Sequence, residues 1–237
     1  MCIRDSIDVS LPVTSKGVSG EQGSLHPLSI VESDLNKIFK KLGFHLVDGP
    51  HVESEYYNFD ALNMPEVHPA RDMQDTFWTS DGDVLRTQTS ALQARALYDL
   101  AQEGKEPPLR LVGPGRVFRN ERTDASHDHT FYQMEGLMID KNINVGHMLY
   151  YVNTLLSEIY KTEIKTRLRP GYFPFVEPGF ELDVWFNGKW LEMCPCGLVH
   201  PKVIENAGFD SKEWQGFAFG LGLSRLVMGK YLSLIHI

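Results

Sequence analysis

The feature that most restricts this chain is a series of short strand-like segments in its C-terminal half, two of them separated by the pair Asn187-Gly188. An Asn-Gly pair suits a two-residue turn whose twist matches the flanking strands, so Glu181 to Phe186 and Lys189 to Met193 are expected to pair antiparallel. Further strands are read at Phe44 to Val52, interrupted by Gly49-Pro50, and at Leu109 to Glu121, Phe131 to Ile139, Ile164 to Arg169 and Phe173 to Glu177. Three helices accompany them. Leu28, Val31, Leu35, Ile38 and Leu42 recur at helical spacing on one face, and Gly43 ends that run. Ser90 to Glu103 is a second helix, entered through the capping run Thr87-Gln88-Thr89-Ser90, and Asn144 to Thr162 a third. Strands joined by hairpins and short loops, with few helices between them, specify an α+β fold in which an antiparallel sheet is flanked by helices.

Composition narrows the classes. With 42% apolar and 23% charged residues, the 237-residue chain reads as an ordinary globular protein, large enough to bury a core without disulfides or a structural metal. No apolar run approaches the roughly eighteen residues of a membrane span, and three cysteines fit a reducing compartment, so a cytoplasmic protein is expected. A net charge of −8 argues against broad, non-specific nucleic-acid binding. Residues 1–6 and 232–237 read as sequence foreign to the rest, and residues 7–27, mixed in Ser, Gly, Pro and Lys, as an extended lead-in. One domain is then expected over residues 28–231.

Several segments carry chemistry. Arg116-Val117-Phe118-Arg119-Asn120-Glu121-Arg122 concentrates three guanidinium groups, which suits either a phosphate clamp or a solvated edge strand. Strand periodicity puts Phe131, Gln133 and Glu135 on one face, and an amide and a carboxylate there need partners, from a ligand ammonium group or from the backbone. Phe173, Phe175 and Glu177 likewise share a face, as ordinary core aromatics or as the walls of a ring-binding pocket. Gly216 to Arg225 leads from a strand of small and aromatic residues into a helix, where glycines admit a flat ligand and an arginine can stack on a base. No phosphate-binding Gly-Lys-Ser/Thr loop is present, and Gly220-Leu221-Gly222 continues into Ser224-Arg225 instead of a third glycine. Cys194-Pro195-Cys196 with His200 lacks the spacing of a zinc site.

Together these segments resemble the phenylalanine–tRNA ligase alpha-subunit family of class II aminoacyl-tRNA synthetases over residues 7–231. Asn58 to Asn63, His68 to Asp72 and Asp75 to Trp78 match signatures of that subunit. The helix before Gly43 with the Pro50 strand is similar to the first class motif, a dimer interface; Arg116 to Glu121 with Phe131 to Gly136, and Gly216 to Arg225, are similar to the second and third. The resemblance implies formation of phenylalanyl-adenylate from ATP and phenylalanine, then transfer to tRNA(Phe). It implies that Arg119 and Arg225 act in catalysis, and that Arg119, Glu121 and Arg225 hold ATP. Gln88, Ser90, Gln133 and Glu135 would receive the amino group, Phe173 and Phe175 would grip the ring, Ala218 would shape the pocket floor, and Glu177 would hold Mg2+. It also implies a beta-subunit partner in an (αβ)2 heterotetramer, with editing of misactivated tyrosine assigned to that partner.

The chain departs from the family pattern at two points. Ser224 stands where a glutamate is common, removing an orienting carboxylate for Arg225, and Pro195 replaces a glycine in an expected turn after Trp190-Leu191-Glu192. The family's N-terminal tRNA-contacting arm is not matched, so this piece alone is expected to be inactive. Two rivals remain on this reading: a class II ligase for another amino acid, and a non-catalytic phenylalanine-binding paralogue.

Overall fold

The computed structural model describes residues 23–72, 75–122, 128–186 and 188–231. The expected foreign ends, residues 7–22 of the lead-in and Asn187 of the turn pair lie outside the described residues.

Helix α1 (Pro27–Lys41) starts a residue before the expected lead-in ends, because His26 caps it: the His26 ring nitrogen Nδ1 accepts from the Leu28 N–H at 3.2 Å. Proline in its first turn and lysines in its last complement the helix ends. The expected strand from Phe44 to Val52 divides. Its first part becomes β1 (His45–Leu46) in the main sheet, and its second becomes β2 (Val52–Glu53), which pairs separately with β3 (Val84–Leu85). The Gly49-Pro50 break thus separates two sheets. Between β2 and β3 lie α2 (Glu55–Asn58), a tight turn of helix at Asp60–Leu62, and α3 (Pro69–Asp72).

Helix α4 (Ser90–Gln102) forms where expected, but Thr89 at its start has helical backbone and makes no side-chain cap. The polar run before it is committed elsewhere: Ser90 bonds Glu135, and Thr87 bonds Asn58. Strands β4 (Leu109–Phe118) and β5 (Thr130–Asp140) pair antiparallel over ten positions. Helix α5 (Val145–Tyr160) is closed by a reciprocal Asn144–His147 capping box.

The remaining strands depart most from the sequence reading. Strand β6 (Thr166–Phe173) runs into β7 (Val176–Phe186) through a turn at Pro174 and Phe175, so Phe173 to Glu177 is a hairpin and not a strand of its own. Phe186 pairs with Lys189 across the two-residue turn, with Gly188 at φ +81°, as the Asn-Gly signal requires. Strand β8 (Lys189–Val199) continues through Pro195, so the turn expected there is absent. The β8–β9 ladder stops at Cys196, one residue short of Pro195, while β7 still pairs with Pro195 at Glu181. A short helix α6 (Pro201–Asn206), strand β9 (Gln215–Gly222) and helix α7 (Leu223–Tyr231) complete the chain.

The seven-stranded sheet runs β1-β4-β5-β9-β8-β7-β6. The β1–β4 pair is parallel and the others are antiparallel, which makes the fold α+β as expected, with one parallel edge that hairpin logic does not give. Helices α1, α5 and α7 cover one face through Val31, Leu35, Phe39, Val152, Leu155 and Leu226. Helices α4 and α6 with the Phe59–Met64 segment cover the other, through Ala94, Leu97, Val203 and Ile204. Phe39 has no exposed surface, and its ring meets those of Phe44 at 5.2 Å and Phe219 at 6.1 Å. We expect Phe39→Ala to cost about 3–5 kcal/mol in a urea titration, the range for truncating a buried aromatic ring.

Candidate active site

A cavity of about 450 Å³ opens on the α4 face of the sheet, where β5, β9 and β8 meet the β6–β7 hairpin. Side chains on one face of a strand alternate, so β5 turns Gln133, Glu135 and Leu137 toward the cavity while Met134 and Met138 enter the opposite core. Strand β9 supplies Ala218 and Gly220, and β8 supplies Pro195 and Cys196. Phe173 and Phe175, on the hairpin turn, stand with ring centroids 6.1 Å apart and tilted by 30°. Asn63, in left-handed backbone at φ 62°, donates from Nδ2 to the Pro174 carbonyl at 2.7 Å and so ties that turn to the opposite wall.

One end of the cavity is polar. Glu135 is buried, and the Ser90 hydroxyl donates to its Oε2 in a short hydrogen bond. Burial pushes the Glu135 carboxyl above the usual carboxylate range, against the opposing pull of Ser90, Thr89 and the Arg119 guanidinium. The Oε1 of Gln133 and the Nε2 of Gln93 are buried without a hydrogen-bond partner among the described residues, and both residues line the cavity. The orphaned oxygen of Gln133 beside a buried carboxylate makes a receptor for a ligand that carries its own donors, whereas the Gln93 nitrogen calls for an acceptor.

Arg119 lines the same cavity from just beyond β4. Its guanidinium stacks 5.0 Å from the Phe131 ring, its Nε donates to the Thr87 carbonyl at 3.3 Å, and Glu121 Oε1 stands 3.9 Å from Nη1. Burial lowers its affinity for the proton, yet a guanidinium stays charged at neutral pH. The expected three-arginine cluster is therefore divided. Arg116 turns away to Tyr132, donating to its hydroxyl from Nη2 at 2.6 Å, and Arg122 is exposed.

Among the expected substrate residues, Gln88, Ser90, Gln133, Glu135, Phe173, Phe175 and Ala218 all line the cavity, as does Arg119. Glu121 stands behind Arg119. Arg225, in the first turn of α7, lies outside the cavity lining and donates from Nη1 to the Glu192 carbonyl at 2.9 Å, with Glu192 Oε1 3.4 Å away. Glu192 thus offers Arg225 the carboxylate that Ser224 does not. Glu177 is not brought into the cavity lining; its carboxylate is largely exposed and faces His200 Nε2 at 3.4 Å. No group of three or more His, Cys, Asp or Glu among the described residues is arranged to hold a metal ion, so Glu177 stands as a single carboxylate without fellow ligands. Cys194 and Cys196 are buried free thiols, and a hydrogen bond between them together with burial pushes the Cys194 thiol up.

Sequence reasoning marked Asn58, His68 and Arg71 as parts of family signatures but gave them no role, and these residues hold the site. Asn58 has no exposed surface; its Nδ2 donates to Thr87 Oγ1 and its Oδ1 accepts from the Thr87 N–H, both at 3.1 Å, while Gln88 Nε2 reaches its carbonyl at 3.4 Å. Arg71 donates from Nε to the Met64 carbonyl at 2.8 Å, pairs with Glu55 and Asp60, and covers the Phe59 ring at 4.8 Å. His68 stacks on Tyr172 at the cavity rim, its Nε2 3.2 Å from the hydroxyl. Gln93 had a legible signal, since it falls three residues after Ser90 on the helical face that packs on the sheet.

Comparison with known proteins agrees with this geometry. Residues 6–233 match the family model described as tRNA synthetases class II core domain (F). The phenylalanine–tRNA ligase alpha subunit of Leptospira biflexa is 55% identical over 240 residues, covering 96% of this chain and 68% of that protein. The subunit of the same name from Actinobacillus succinogenes is 47% identical over 229 residues, covering 96% and 67%. The crystal structure of pyrrolysyl-tRNA synthetase from Desulfitobacterium hafniense superimposes with a TM-score of 0.67 at 19% identity, covering 85% of this chain and 68% of that one, a likeness of fold.

Proposed function

Because the chain belongs to the tRNA synthetase class II core family, and within it to the phenylalanine–tRNA ligase alpha subunits, we propose that its cavity binds phenylalanine beside ATP and joins them as phenylalanyl-adenylate. The observation that carries this reading is one cavity with an aromatic end, a buried carboxylate and a buried guanidinium. The ring of phenylalanine fits between Phe173, Phe175 and Ala218. Its ammonium group answers Glu135, Ser90 and the orphaned oxygen of Gln133, with Gln88 adjoining.

The chemistry asks little of the protein beyond alignment. The substrate carboxylate is already ionised, so it attacks the α-phosphorus directly; a new oxygen–phosphorus bond forms as the bond to the departing pyrophosphate breaks. Holding the two groups in line and neutralising the charge that develops on the α-phosphate are the protein's tasks. Arg119 serves the second, with Glu121 orienting it, and Arg225 holds the far part of ATP. In the next step the terminal hydroxyl of tRNA(Phe) takes the phenylalanyl group and AMP leaves.

Mg2+ bound with ATP would offset the charge of its phosphates, and Glu177, exposed beside His200 and outside the cavity lining, is the single carboxylate that would be offered to it. The partner in this reading is a beta subunit, in an (αβ)2 heterotetramer, and the location is the cytoplasm; among the described residues no helix is long and apolar enough to cross a membrane. The contact between Glu192 and Arg225 removes the one feature, Ser224, that favoured a non-catalytic paralogue.

Phenylalanine-dependent exchange of pyrophosphate into ATP, with the full-length chain assembled with its beta subunit, tests the reading, and no exchange would refute it. An apolar pocket rejects an added hydroxyl weakly, so tyrosine is expected to support exchange only about a hundredfold less efficiently than phenylalanine. Comparing kcat/KM for the two amino acids in that assay measures the ratio.

A further inference from the structure

Among the described residues, the largest fully buried side chain is one that the reaction above does not use. Arg86 is 1% exposed and, among the described residues, forms no ion pair. Its guanidinium is held by backbone carbonyls alone: Nε donates to Arg116 at 2.8 Å, and Nη1 to Gly49 at 3.2 Å and Pro50 at 3.4 Å. Its backbone repeats the pattern, since the Arg86 N–H donates to the His51 carbonyl at 3.0 Å and the Arg86 carbonyl accepts from the Phe118 N–H at 3.0 Å. Through these bonds Arg86 links the 49–51 segment to the end of β4. Gly115 is required beneath the guanidinium, because a Cβ there would stand 2.2 Å from Nη2.

Arg119 follows directly on this brace, one residue beyond Phe118. Asn58 supports the run that follows Arg86, holding Thr87 and Gln88 through three hydrogen bonds next to Ser90, and the Thr87 carbonyl in turn accepts from Arg119. A buried guanidinium is costly unless its planar fork of donors is used, and lysine cannot reproduce that fork.

We propose that Arg86 is a positioning residue for Arg119, fixing the end of β4 against the Gly49–Pro50 segment so that the guanidinium of Arg119 meets the α-phosphate. The proposal rests on the functional reading given above.

The test uses the assembled complex and follows exchange as a function of ATP and of phenylalanine separately. Arg86→Lys is expected to lower exchange about a hundredfold, the usual consequence of a misplacement of about 1 Å. The loss should fall in kcat and in KM for ATP, with KM for phenylalanine within about threefold of the parent. Gly115→Ala, which forces the guanidinium aside without removing it, should give the same split. Equal effects of Arg86→Lys on both substrates, or no effect, would overturn the proposal. So would loss of assembly in both Arg86→Lys and Gly115→Ala, which would make Arg86 a folding residue. A parent complex without exchange would instead defeat the functional reading itself, and the proposal with it.

Discussion

Arg119→Ala is expected to reduce phenylalanine-dependent ATP–pyrophosphate exchange about a thousandfold, at the upper end of what removing one preorganised donor to a developing charge costs. The size follows from where the residue sits. Arg119 is the arginine of its cluster that enters the cavity, and it does so from partly buried ground where charge is weakly screened. The Phe131 ring and the Thr87 carbonyl hold its guanidinium plane, so little reorganisation remains to be done when the transition state forms. Arg119→Lys should restore only a small part of the loss, because an ammonium group offers a point charge without the bidentate fork. An Arg119→Ala complex exchanging within tenfold of the parent would remove Arg119 from the mechanism.

Glu135→Gln should act in two directions at once. Burial holds the carboxyl above its ordinary range, which means that the fold favours the protonated form over the carboxylate. The unliganded protein therefore loses stability as pH rises from the ordinary carboxylate pKa through the raised one. Glutamine imitates the protonated state and escapes that loss. At neutral pH the variant should melt higher than the parent, and the gap should close in acid, below the ordinary carboxylate range. Phenylalanine binding should behave oppositely, because the ammonium group needs the carboxylate. Removing one member of a buried charge pair costs about 3 kcal/mol, so affinity should fall on the order of a hundredfold. In the parent, KM for phenylalanine should rise as pH falls through the raised pKa. Calorimetric titration with phenylalanine and thermal melts across pH check both; a variant that binds phenylalanine as the parent does would show that Glu135 is not the ammonium receptor.

The contacts that line the cavity were largely legible in the sequence because each broke a local rule. A carboxylate and an amide on a buried strand face, two phenylalanines near a proline, and a strand of glycine and aromatic residues all conflict with ordinary core composition, and the fold gathers them into one cavity. What escaped were residues whose partners are distant in the chain. Asn58 lies 29 positions from Thr87, and Asn63 111 positions from Pro174; no periodicity encodes such a hydrogen bond. Boundaries failed for the same reason. Pro195 reads locally as a turn, but β7 pairs with it at Glu181 and the strand persists. Thr89 reads as a cap, but the site draws on its neighbours' hydroxyls. The parallel pairing of β1 with β4 needs knowledge of where α1 leaves the chain, which a two-residue strand cannot supply.

The short ladder between β8 and β9 has a thermodynamic consequence. Those strands share three residue pairs, whereas β5 and β9 share eight, and the cavity takes its walls from both strands at and beyond that short ladder. The sheet is in effect two half-sheets joined by a narrow seam, with β1, β4, β5 and β9 on one side and β8, β7 and β6 on the other. A substrate seated there touches both halves, with its ammonium group on β5 and its ring against the β6–β7 turn. Occupancy and cohesion are then linked quantities: whatever free energy binds the amino acid also resists separation of the half-sheets.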